Sequence, residues 1–233
     1  MQHMKYAALG LAFATFASGA AFAQPMARPL TVVELFQSQG CSSCPPANAN
    51  INALSDRSDL LVLSYGVTYW DNLGWKDTFA SKTFTDRQWA YAKGLKHGQV
   101  WTPQVVINGR ADVVGTTLAE IDAAARKAPI GAGGPQLSVS SGVLTISAAA
   151  RPAKADVWLV RYDPAIVQVP IKRGENTGKT LPHRNVVREM TRLGAYSGQA
   201  LTYRLPVGAD PRLRTAILVQ AGPGGPILAA AKT

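Results

Sequence analysis

Thr31-Val-Val-Glu-Leu-Phe-Gln-Ser-Gln-Gly-Cys-Ser-Ser-Cys-Pro-Pro46 holds both cysteines of the 233-residue chain. Thr31 to Phe36 is a short apolar run rich in β-branched residues, which predicts a buried strand. Gln37 to Gly40 reads as a turn. Pro45 and Pro46 do not fit a helix interior, but they suit its first turn, where the backbone amide has no partner to lose. Ala47, Ile51 and Leu54 then recur at helical spacing, so Ala47–Leu54 reads as helix. Leu60–Ser64 is a second apolar run. Strand, helix and strand make a parallel βαβ unit, with the dithiol where the first strand hands over to the helix.

Downstream the pattern stays mixed. Tyr69–Lys82 is irregular and rich in Trp, Asp and Gly. Phe84–Lys96 reads as helix, capped by Thr83 or Thr85. Thr102-Pro103 leads into a strand, Gln104–Asn108, and Asn108-Gly109 signals a hairpin turn with Ala111–Val114 returning. Thr116 or Thr117 caps a helix that runs to Lys127, with Glu120 placed for a capping box. Pro129-Ile-Gly-Ala-Gly-Gly-Pro135 is a linker by composition. Beyond it come short runs at Gln136–Ser140, Val143–Ala148, Asp156–Tyr162, Ile166–Ile171, Asn185–Leu193, Ala200–Leu205, Leu213–Gln220 and Ile227–Ala230. Residues 136–233 are therefore expected to form a mostly antiparallel β domain, a sandwich with Trp158 in its core.

Dithiol exchange needs two thiols close enough to bridge, one of them exposed and ionised. The start of a helix meets both conditions, because its free amides and dipole stabilise a thiolate. Cys41, ahead of the helix, is the expected exposed nucleophile. Cys44, in the first turn, is the expected buried resolving thiol. Ser42 and Ser43 place small polar side chains near the sulfurs. Both cysteines lie in one Cys-x-x-Cys, whose short loop restricts the unfolded chain little, so the pair suits exchange better than stapling.

The element order, Cys41-x-x-Cys44 and Thr102-Pro103 resemble the thioredoxin superfamily over about residues 30–128. Val33-Glu-Leu-Phe-Gln-Ser-Gln-Gly-Cys-Ser-Ser-Cys-Pro-Pro46 and Leu181-Pro-His-Arg-Asn-Val-Val187 resemble, more closely, an exported bacterial family of unknown function numbered 1223. The implied fold class is an α/β thioredoxin-like domain (24–128), a linker (129–135) and a mostly antiparallel β domain (136–233). The first resemblance implies a cis Thr102–Pro103 bond, in a loop that packs on the dithiol and offers backbone to a substrate peptide. It also implies a carboxylate beneath the dithiol. Glu34, on the preceding strand, is the candidate proton acceptor for Cys44; the alternative is a strand-edge glutamate in solvent. Departures from the superfamily are Gly40 before the first cysteine and Ser-Ser between the pair.

Other residues carry weaker signals. Tyr69 and Trp70, with Asp71 and Trp75-Lys-Asp77, are candidate walls of a substrate groove, though aromatics in a long loop more often pack that loop. His97 reads as a helix C-terminal cap. Gly174-Glu-Asn-Thr-Gly-Lys-Thr180 imitates a phosphate loop, but its spacing is wrong and we reject it. Lys172, Arg173, Lys179, His183 and Arg184 read as a solvated basic loop. Cys41, Cys44, His97 and His183 match no zinc pattern.

The ends and totals bound the rest. Lys5, the uncharged run Ala7–Ala20 and Ala21-Phe-Ala23 read as a signal peptide over 1–23, with Gln24 the expected mature terminus. An exported protein, periplasmic or secreted, is expected, with no stable membrane anchor. Formal charge is +10, yet export argues against nucleic acid as partner. The leading expectation is a thiol–disulfide oxidoreductase acting on protein thiols or disulfides, with a redox partner protein and with neither cofactor nor metal. Alternatives are a scaffold with a structural disulfide and a soft-metal Cu(I) protein using both thiolates.

Overall fold

The apolar run at the start of the described chain is β1 (Thr31–Gln37), buried at every position after Thr31. In this computed structural model residues 30–150 and 154–233 are described; the expected signal peptide lies outside them. α1 (Cys44–Leu54) opens with Pro45 and Pro46 in its first turn. β2 (Leu60–Gly66) pairs in parallel with β1 in the register Val33↔Val62 and Leu35↔Ser64. α2 spans Lys82–Gly94 and is capped by Ser81, whose hydroxyl accepts the Thr83 amide. β3 (Gln104–Ile107) runs antiparallel to β1, and β4 (Ala111–Val113) returns beside β3. Asn108 and Gly109 both take positive φ, 51° and 61°, as a tight hairpin requires. α3 (Leu118–Lys127) carries the expected capping box, made by Thr117 and Glu120.

The second half is stranded throughout: β5 (Leu137–Ser140), β6 (Val143–Ile146), β7 (Ala155–Asp163), β8 (Val167–Pro170), β9 (Thr180–His183), β10 (Val186–Tyr196), β11 (Leu201–Arg204), β12 (Arg214–Gln220) and β13 (Ile227–Lys232). Four of these strands continue the first sheet. The order β13-β12-β7-β10-β2-β1-β3-β4 makes one mixed eight-stranded sheet. β10 joins β2 in parallel at Val186↔Ser64, where the Ser64 amide also reaches the Asn185 carbonyl at 2.9 Å. β11-β6-β5 and β8-β9 form two small antiparallel sheets.

Alternation along β1 sorts the core into two faces. Val33 and Leu35 pack with Ala47, Ile51 and Leu54 of α1 and Ile121 of α3. Val32 and Phe36 face the other way. They share a cluster with Phe84 and Tyr91 of α2 and with Val160, Val187, Leu218 and Ile227 from the second half. Trp158, expected in a sandwich core, is partly buried and packs against this shared cluster. The small β5–β6–β11 sheet buries Leu144 and Ile146 against Val157, Ile217 and Val219 of the large one. The architecture is thus a mixed α/β fold with one large sheet flanked by antiparallel ribbons.

Candidate active site

Cys41 and Cys44 form a disulfide with Cα atoms 5.4 Å apart, at the C-terminal end of β1 and the first residue of α1. The turn before it is held from outside. Asp77 Oδ2 accepts the Gln39 amide at 2.8 Å, and Trp75 Nε1 donates to Gln39 Oε1 at 3.0 Å. Ser43 occupies the N-cap of α1 but makes no side-chain cap. Its hydroxyl lies 3.3 Å from Cys41 Sγ and donates to the Thr102 carbonyl at 3.4 Å. The Thr102–Pro103 peptide is cis. Trp70 Nε1 donates to Thr102 Oγ1 at 2.8 Å, so Trp70 braces that loop. Tyr69 donates to Gln88 Oε1 at 3.3 Å and is exposed over more than a third of its surface.

Cys41, Cys44, Ser42, Ser43, Thr102, Pro103 and Trp70 therefore belong to one neighbourhood. Two expectations about the catalytic residues need correction. Cys41 was expected to be exposed, yet it has no accessible surface, and Cys44 has almost none. A segment missed as a site residue source lies against it. Asn176, itself fully buried, donates through Nδ2 to the Cys41 carbonyl at 2.9 Å and the Gln39 carbonyl at 3.0 Å. Beside it, Glu175 Oε2 accepts the Ser42 amide at 3.1 Å. Hydrogen bonds from Ser42 hold the Glu175 carboxyl below the usual carboxylate range.

Glu34 is the second correction. It shares a face of β1 with Val32 and Phe36, which pack towards α2, whereas α1 lies on the face of Val33 and Leu35. Its carboxylate is fully buried and engaged by Arg87, at 2.8 Å from Nε and 3.1 Å from Nη2, and by the Tyr91 hydroxyl. Arg87 Nη1 continues to Gln220 of β12 at 3.0 Å. Period-two geometry thus turns Glu34 away from Cys44, and it is neither a strand-edge residue in solvent nor a base for the dithiol.

Two buried titratable groups lie on the elements around the site. Burial pushes the Asp77 carboxyl up to about 6, against the opposing pull of the Gln39 and Phe79 amides it accepts. Burial pushes the His183 imidazole down to about 4. His183 Nδ1 lies 3.2 Å from Asn48 Nδ2, one helical turn beyond Cys44, and its Nε2 has no partner among the described residues. The solvated basic loop expected here is smaller than its charges suggest: His183 is core, and Arg184 pairs with Asp56 at 2.6 Å. His97 does not cap α2 with its side chain; Nε2 lies 3.1 Å from Asp112 and the ring meets Trp101 edge-on. Among the described residues no group of three or more His, Cys, Asp and Glu side chains is gathered to hold a metal. None of their helices is long and apolar enough to cross a membrane.

Sequence reasoning missed Glu175 and Asn176. The available signal was Gly174 and Gly178, which take φ of 78° and 82° and bracket a tight turn between strands.

The fold and site define a mixed α/β protein whose single disulfide closes the first turn of its first helix. The model of a family described as a protein of unknown function (DUF1223) matches residues 32–220, and the chain belongs to that family. A crystal structure of an Agrobacterium tumefaciens protein is similar at 31% identity and a TM-score of 0.73, covering 89% of this chain and 95% of that one. HBP35 of Porphyromonas gingivalis shares the fold at 14% identity and a TM-score of 0.57, covering 88% of this chain and 75% of that one. No curated protein matches the chain.

Proposed function

We propose that the chain is an exported thiol–disulfide oxidoreductase with a thioredoxin-like first half, acting on protein thiols or disulfides through Cys41 and Cys44. The observation that carries this reading is the place of the disulfide. It sits at the C-terminal end of a central strand and on the first turn of a helix, with the Thr102 carbonyl bridged to it through Ser43. The positive end of the helix dipole there favours a thiolate over a thiol. The strand order β2-β1-β3-β4 around α1 supports the fold reading, and the β5–β6–β11 sheet facing β7, β12 and β13 supports a sandwich-like second half.

In the reducing direction, the Cys41 thiolate attacks a substrate disulfide, forms a mixed disulfide and expels one substrate thiolate. Cys44 then attacks Cys41 Sγ, restores the internal disulfide and releases the second substrate thiol. Two electrons pass to the substrate, and the reverse sequence oxidises a substrate dithiol. Pro103 is buried beside Thr102, while Ser42 and Ser43 are exposed. A substrate peptide would meet the two serines and the Thr102 backbone.

Cys44→Ala should leave Cys41 covalently linked to substrate proteins when expressed in an oxidising envelope, and Cys41→Ala should capture none. Reducing and non-reducing gels read the result. The absence of reducible adducts from Cys44→Ala, alongside a positive control, would sink the enzyme reading. The complete burial of Cys41 favours a second reading, a disulfide that serves only the fold. It expects both variants to lose stability and trap nothing.

A further inference from the structure

A loop of the C-terminal half reaches the dithiol turn through Glu175 and Asn176, and Gly174 before them packs on the Trp75 segment that braces that turn. Gly174 lies so close to Trp75 that an added Cβ would sit 3.3 Å from Trp75 Cβ. Glu175 takes the Ser42 amide, and Asn176 spans the Gln39 and Cys41 carbonyls. The loop also holds its own shape. Lys179 Nζ donates to Asn176 Oδ1 at 3.0 Å, and the Gly178 amide returns to Ile171 at 2.9 Å.

We propose that Gly174–Lys179 is a cap on the dithiol, in which Asn176 holds the cap closed and Glu175 sets the acidity of Cys41. This rests on reading Cys41–Cys44 as an exchange site. An attacking thiolate must reach Cys41 Sγ within bonding distance, and Cys41 has no accessible surface in the structure in which Asn176 holds its carbonyl. Asn176 is the anchor that must let go, because its amide is the buried link between the cap and the dithiol turn.

Glu175 acts on the reduced form. In the disulfide neither sulfur is charged, and the Ser42 amide is free to serve the Glu175 carboxylate. Reduction by a dithiol adds two electrons and two protons, breaks the sulfur–sulfur bond and leaves two thiols. Ionisation of Cys41 then sets a second negative charge beside Glu175. Glu175 sits on the amide of the residue that follows Cys41, and a like charge held there disfavours the thiolate and raises the pKa of the thiol. Both residues are positioning residues, since neither exchanges electrons with substrate.

Two measurements on the purified full chain test the cap. Asn176→Ala should speed reduction of the disulfide by dithiothreitol about tenfold, the scale that two lost hydrogen bonds set. Glu175→Gln should lower the Cys41 titration, raising the thiolate fraction at neutral pH about threefold, as read from the pH dependence of alkylation. Glu175 is exposed, so this variant folds as the parent does and remains decisive should Asn176→Ala destabilise the protein. A titration unchanged by Glu175→Gln overturns the proposal. So does an unchanged reduction rate in a folded Asn176→Ala protein. Both readouts use a small thiol reagent, so failure of substrate trapping by Cys44→Ala leaves them untouched, and their failure leaves the trapping result standing.

Discussion

Glu34 shows how far one side chain's role depends on which face of a strand it takes. Its buried carboxylate meets Arg87 in a two-pronged ion pair, with Tyr91 as a further donor. Removing one member of such a pair leaves the other charge buried without compensation, which costs about 3–5 kcal/mol. Glu34→Gln should therefore lower stability by about that amount, read from urea unfolding. The same variant should leave the titration of the Cys44 thiol unchanged, because Glu34 lies across the sheet from α1. A shift in that titration would restore Glu34 as the base that its place in the sequence suggested. The glutamate itself was legible as unusual in an apolar run. Its partners were not, since Arg87 is 53 residues away.

At the scale of elements, two buried groups give the fold opposed responses to acid. Asp77 lies in the irregular loop two residues ahead of Phe79, and His183 ends β9; Phe79 meets the His183 ring edge-on at 5.4 Å. The folded-state value of Asp77 is raised to about 6. Its contribution is therefore greatest at low pH, below the ordinary carboxylate range, and is lost as pH rises towards 6. The folded-state value of His183 is lowered to about 4. Its contribution is complete above the ordinary imidazole value and is lost as pH falls towards 4. The two slopes oppose each other in one window. Asp77→Asn should thus fall further behind the parent protein at pH 4 than at pH 7, by up to about 3 kcal/mol. His183→Gln should lose ground less at pH 4 than at pH 7. Urea midpoints at both pH values check the signs, and parallel curves for either variant and the parent would contradict the assigned shift. Elements with local signals were legible here, including the Thr117–Glu120 capping box and the Asn108-Gly109 turn. β9 was not, because Thr180-Leu-Pro-His183 alternates too briefly and sits among cations.

For the whole molecule, the joint between the halves is the deciding feature. β10 lies on the edge of β2, and one cluster joins Val32, Phe36 and Tyr65 to Val160, Leu218 and Ile227. Arg87 of α2 reaches Gln220 of β12 within the same buried region. Cutting the chain at the 129–135 segment would leave the β2 edge unpaired and take from the Val32 and Phe36 face of β1 the part of its cover that the second half supplies, with α2 alone remaining. The described protein should then unfold in one transition, with far-ultraviolet circular dichroism and Trp fluorescence coincident in urea. A fragment ending at Ala128 should not hold a fixed fold in solution, as judged by its amide dispersion in NMR. Two separated transitions, or a folded fragment, would show that each half keeps a core sufficient for itself.

By itself the sequence determined what depends on neighbours along the chain. Apolar period and Pro placement set β1 and α1, and three-residue spacing let Cys41 and Cys44 bridge. Turn chemistry set the hairpin, and composition marked the α/β start and stranded end. Only the tertiary structure decided what depends on residues far apart: the continuous sheet, the inward pairing of Glu34 with Arg87, and the seating of Glu175 and Asn176 on the dithiol turn, more than 130 residues away. Local patterns report which face of a strand or helix is apolar. They carry no information about which distant segment covers it, because that choice is made by the packing of whole surfaces.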